Sequence, residues 1–60
     1  MYKIIWFNDD GDEIGALGSF DMRYTAIEYA RLLLPQVCEA NYSNWGFDAL
    51  PKTYAIKKYN

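Results

Sequence analysis

Sixty residues suffice for one domain, and a chain this short removes only about 60% of its unfolded surface from water, which leaves little stability in reserve. One cysteine, Cys38, and no histidine exclude an internal disulfide, Ser-His and Cys-His catalytic pairs, and the common zinc ligand sets. A net charge of −2 from eight acidic and six basic residues argues against a general electrostatic grip on nucleic acid.

Stability must then come from packing, or from a partner that extends the core. Two Trp, six Tyr and three Phe make up 18% of the chain, and each aromatic buries roughly 150–250 Å². No basic n-region, apolar stretch and cleavage site of a secretory signal follow Met1. No apolar run approaches the ~20 residues of a membrane span. With a lone thiol, these features predict a cytoplasmic protein that uses no membrane, metal or cofactor.

The first element is Tyr2-Lys3-Ile4-Ile5-Trp6-Phe7, apolar or aromatic at every position but Lys3. A strand with one wet face alternates apolar and polar residues, so this run predicts a central strand with apolar material on both faces. Asn8-Asp9-Asp10-Gly11-Asp12 follows, and Asp-Gly between two apolar runs predicts a hairpin turn. Strict alternation along the second strand, Glu13 to Phe20, puts Ile14, Ala16, Gly18 and Phe20 on one face and Gly15, Leu17 and Ser19 on the other. Its two glycines suggest a bulge or a close approach.

Asp21 has the chemistry of a helix N-cap, and Thr25-x-x-Glu28 fits a capping box one turn later. Met22 to Leu34 then reads as an amphipathic helix, with Ile27, Ala30, Leu34 and either Leu33 or Val37 on its inner stripe. Pro35 lacks a backbone donor and clashes with the Arg31 carbonyl, so the helix ends near Leu34 or kinks there. Asn41 to Lys52 is irregular and holds Tyr42, Trp45 and Phe47; connections of this length in compact domains are often functional. Thr53 to Tyr59 reads as the last strand, with Tyr54, Ile56 and Lys58 on one face and Ala55, Lys57 and Tyr59 on the other.

The predicted fold is a small single α+β domain, β-β-α-β. The helix returns the chain by a right-handed crossover, so the third strand lies beside the first and the sheet order is 2-1-3. The helix is expected over Ile4, Trp6, Ile14, Ala16, Phe20 and Ile56, because Lys3 marks the other face as wetter. That leaves Ile5, Phe7, Leu17, Ala55 and Tyr59 on a face one helix cannot cover. Either the Trp45 and Phe47 loop folds over it, or it is a binding patch, since soluble monomers rarely expose large contiguous apolar surfaces.

Chemistry-bearing constellations are few. Asp9, Asp10, Asp12 and Glu13 surround Gly11, but with Gly11 sixth in a calcium loop, Trp6 and Leu17 would occupy the first and twelfth ligand positions, so the pattern fails. The cluster is either a solvated turn or an anionic knob that steers a partner with a basic surface. Ser19, Ser43 and Cys38 are the available nucleophiles and have no base beside them, so the chain reads as a non-enzyme. Lys52, Tyr54, Lys57 and Tyr59 allow weak stacking and phosphate contact with single-stranded nucleic acid, although lysines on an edge strand also serve to block unwanted pairing.

The order strand, strand, helix, strand in about sixty acidic-leaning residues is similar, in architecture alone, to small proteins by which bacteriophages inhibit host enzymes or defence complexes. The expected function is accordingly a non-catalytic protein-binding module. Its contact residues are expected among Asp9, Asp10, Asp12, Glu13, Ile5, Phe7, Leu17, Trp45, Phe47 and Tyr59. The alternatives are an obligate homodimer that buries Ile5 and Phe7, and the Lys/Tyr strand as a nucleic-acid contact.

Overall fold

The computed structural model describes residues 1–59. Strands β1 (Tyr2–Phe7), β2 (Glu13–Phe20) and β3 (Thr53–Lys58) form an antiparallel sheet in the order β2-β1-β3, and helix α1 (Arg23–Leu33) packs on one side of it. The most apolar strand is thus the central one, as its sequence demands. Ile4 is 0% and Trp6 1% exposed, and with Ala26, Ala30, Leu33 and Val37 they form the core. The two alanines face the sheet with no side chain beyond Cβ, which leaves room beside the helix for the indole.

The hairpin turn is held by its first residue. The Asn8 side-chain oxygen accepts from the amides of Asp10 (3.0 Å) and Asp12 (2.9 Å), an Asx arrangement that spares the neighbouring carboxylates any role in the turn. Those carboxylates point to solvent.

Helix α1 starts later than Asp21 would allow. Met22 is the N-cap, with an extended backbone and no side-chain cap bond. Because Ala26 donates to the Met22 carbonyl at 3.3 Å, the first turn closes one residue beyond Asp21, and neither Asp21 nor the Thr25-Glu28 pair caps it. At the other end Pro35 acts as expected. The α-helix stops at Leu33, a 3-10 turn occupies Leu34–Gln36, and the Gln36 carboxamide donates to the Leu32 carbonyl at 2.8 Å. The exposed pair Arg31–Glu28, 3.6 Å apart, adds little, as surface ion pairs do.

The register of β2 departs from simple alternation. Lys3, Ile4, Ile5 and Trp6 pair with Gly18, Leu17, Ala16 and Gly15, but the register shifts at both ends of this run, where Tyr2 meets Phe20 and Phe7 meets Glu13. Ile14 and Ser19 are the extra residues of two bulges. Each bulge reverses the inside-outside parity of the strand. Leu17, across from Ile4, therefore lies on the helix side, and Ala16, across from Ile5, lies on the open side, the reverse of strict alternation. Ile14 and Phe20, beyond the bulges, still pack against the core.

The long connection also takes the helix side. Phe47 sits edge-on to Trp6, with ring centroids 5.5 Å apart and an interplanar angle of 80°, so the loop enlarges the first core and leaves the second sheet face uncovered. There Ile5 is 7% exposed yet outside the core cluster, flanked by Ala16 and Ala55 in register.

The bulge geometry makes a paired prediction. A Cβ on Gly18 would lie 2.9 Å from the Lys3 Cβ, whereas one on Gly15 would meet only the Phe47 ring edge at 4.0 Å. Gly18→Ala should cost about 1–3 kcal/mol by forcing the strands apart. Gly15→Ala should be neutral or stabilise by up to about 1 kcal/mol through the unfolded chain. Urea denaturation of the two variants against wild type checks this.

Candidate functional site

A concavity of about 160 Å³ lies where β2, α1 and the long connection meet. Its floor is Trp6 and Leu33. One wall is the β2 backbone from Gly15 to Leu17, another is Tyr29, and the far rim is Trp45-Gly46-Phe47. Tyr29 and Leu33 reach it together because residues four apart share one helix face. Phe20 braces Tyr29 from behind, with ring centroids 5.6 Å apart.

The rim is built by local hydrogen bonds. The Asn41 side-chain oxygen accepts from the Cys38 amide at 2.7 Å, and its amide nitrogen donates to the Gln36 carbonyl at 3.1 Å. This ties the connection to the end of the helix. A 3-10 turn, Tyr42–Trp45, follows and ends at Gly46, whose φ of 89° suits glycine. The Phe47 amide then donates to the Tyr42 carbonyl at 3.2 Å. This reversal sends Phe47 inward and Trp45 outward. Downstream, the Lys52 amide donates to the Phe7 carbonyl at 2.8 Å and feeds the chain into β3.

Leu17, Tyr29 and Trp45 are 37%, 42% and 45% exposed, and all three border this groove. These three large apolar or aromatic side chains stand half-open around one hydrophobic floor, whereas the more exposed Met22, Tyr24 and Leu32 do not line the groove. Its volume is well below the ~300–1,000 Å³ of pockets for drug-sized ligands. It has room for about one large side chain.

The structure sorts the sequence-predicted residues into separate places. Leu17, Trp45 and Phe47 converge on the groove. Asp9, Asp10, Asp12 and Glu13 lie exposed at the β1–β2 turn, immediately before the β2 segment that forms a groove wall. Ile5, Phe7 and Tyr59 lie on the opposite, uncovered face, where the Lys3 ammonium sits 5.6 Å from the centre of the Tyr59 ring. Lys52, Tyr54, Lys57 and Tyr59 do not share a face. Tyr54 packs beside Trp6 on the helix side, ring centroids 6.1 Å apart, and Lys57 and Tyr59 alternate to the other. Tyr29 and Leu33 are groove residues that sequence reasoning missed, although their spacing on one helix face was visible. Cys38 is an exposed free thiol. Among the described residues no group of His, Cys, Asp and Glu could hold a metal ion, and no helix is long and apolar enough to cross a membrane.

No protein-family model matches this chain, and neither a curated protein nor a solved structure shows significant similarity to it.

The two tryptophans report the core and the rim separately. Trp45→Phe, which keeps only Trp6, should emit at shorter wavelength and resist acrylamide quenching. Trp6→Tyr, provided circular dichroism shows it folded, should leave a red-shifted, readily quenched Trp45. Steady-state fluorescence of both variants checks this.

Proposed function

We propose that this protein is a non-catalytic protein-binding module whose contact site is the groove bordered by Leu17, Tyr29 and Trp45, with the Asp9 to Glu13 turn supplying steering charge. The observation behind this reading is the half-exposed Trp45 beside an apolar hollow. Trp and Tyr are favoured interface anchors because they offer rigid apolar area with a polar tip. The carboxylates of Asp9, Asp10, Asp12 and Glu13 make no salt bridge among the described residues, so their field is free to act on a basic partner. A narrower reading, an inhibitor of a host enzyme or defence complex encoded by a bacteriophage, is supported by the order of elements alone and is what partner identification would decide.

Anchor and steering residues separate kinetically. Against a partner obtained by affinity purification, Trp45→Ala and Leu17→Asp should speed dissociation and weaken binding about tenfold or more. Asp10→Lys should slow association, by a factor that shrinks as salt rises. Surface plasmon resonance at two ionic strengths tests both, and unchanged rates in all three variants would place the contact elsewhere.

The uncovered sheet face supports a second reading, self-association through Ile5, Phe7 and Tyr59. A dimer formed there should melt at temperatures that rise with protein concentration, and Phe7→Glu should abolish the dependence. Analytical ultracentrifugation across the micromolar range distinguishes this from a monomer. The same face holds Lys3 and Lys57, paired across the strands, with the Tyr59 ring beside Lys3. A salt-dependent shift with single-stranded oligonucleotides, lost on Lys57→Glu, would support a nucleic-acid role instead.

A further inference from the structure

The two edges of the sheet are treated differently. The β3 edge is bordered by Pro51 and Lys52 and carries Lys57 and Lys58, which are the usual devices against strand addition. The β2 edge has neither lysine nor proline, and no charged residue from Ile14 to Phe20; its two bulges, which also discourage strand addition, lie at the ends of the paired run and leave the stretch between them regular. Between its two bulges, Gly15 to Gly18 runs in unbroken register with β1, and Ala16, Leu17 and Gly18 are exposed. In an edge strand alternate amides and carbonyls face outward without a partner strand. The groove opens beside this same segment, since Gly15, Ala16 and Leu17 form its wall.

We infer that β2 accepts an extended segment of a partner protein as a fourth strand, one large apolar side chain of which enters the groove while basic residues flank it beside Asp12 and Glu13. The inference rests on the groove being a protein-binding site and specifies how it binds. Backbone pairing would supply affinity and the hollow would supply selection, as in other cases of strand addition. Charge chooses the occupant. A second copy of this chain added antiparallel over Gly15 to Gly18 would bring the acidic turn that precedes its own β2 toward Asp21 of the first copy, acid toward acid, whereas a basic segment is attracted at the same place.

The test pans a display library of random linear peptides against the intact protein, with Trp45→Ala as the counter-selection. Enriched peptides should share one large apolar residue with basic residues on one side of it. A synthetic peptide of that sequence should raise protection of alternate amides within Gly15 to Gly18 at least tenfold in hydrogen exchange. Asp12→Lys should weaken it at low salt more than at high salt. Three results would overturn the inference: no enrichment over the counter-selection, protection confined to Lys3 and Ile5 or to α1, or binding with no gain in β2 protection. If a captured protein nevertheless loses affinity on Trp45→Ala, the groove remains a binding site and strand addition alone is discarded. If neither peptide nor protein responds to Trp45→Ala, both readings fall.

Discussion

Trp6 sits at the centre of the middle strand, 1% exposed, and each other element is placed by its relation to that indole. The helix approaches through Ala26 and Ala30, both fully buried, whose small side chains leave the space a large ring needs. From β3 comes Tyr54, and from the long connection comes the edge of Phe47. At about 0.05–0.15 kcal/mol per residue, a chain of this length has roughly 3–9 kcal/mol of stability in all. Removing one buried Trp costs about 3–5 kcal/mol. Trp6 is thus worth a large part of the whole, and a fold this small has no second core to fall back on.

That dependence explains why the connection after the helix folds where it does. It is held by Asn41 at one end and by the Lys52 amide on β1 at the other. Between these ties it spends Phe47 on the core and leaves Trp45 at the rim. An inward and an outward aromatic two residues apart, on either side of a left-handed glycine, turn one short segment into both a piece of the core and the border of a groove. The groove is therefore not an appendage; the packing that stabilises Trp6 also shapes it.

Two sheet features keep the remaining surface open. The face carrying Ile5 is dry only at its centre, because Ala16 and Ala55 flank the isoleucine and Lys3 lies over Tyr59. The β2 edge is left without lysine or proline, and its bulges lie at the ends of the paired run. A three-stranded sheet with one helix has only enough secondary structure to bury one side. What it leaves exposed is set by strand order and register.

Much of the architecture was legible in the residues. The apolar run from Tyr2 to Phe7 predicts a central strand, Asp10-Gly11 predicts the turn and Pro35 predicts the end of the helix, because each depends on local stereochemistry or on the sign of local hydropathy. The order 2-1-3 follows from connection rules acting on those elements. The N-cap at Met22 was not legible, since Asp21 has the better capping chemistry and only the backbone path decides which residue precedes the first turn. Nor was the side taken by Leu17, because a bulge at Ile14 and another at Ser19 reverse parity without altering composition. Leu17, Trp45 and Phe47 could be singled out one by one as candidate contact residues, but their convergence with Tyr29 and Leu33 on one groove was not legible. The sequence by itself determined which segments are strand, turn and helix and which strand must be buried. The tertiary structure alone decided which side of the sheet the connection covers and which side chains share a groove, because those outcomes depend on register shifts and on competition for the surface of Trp6, distant interactions that no local pattern encodes.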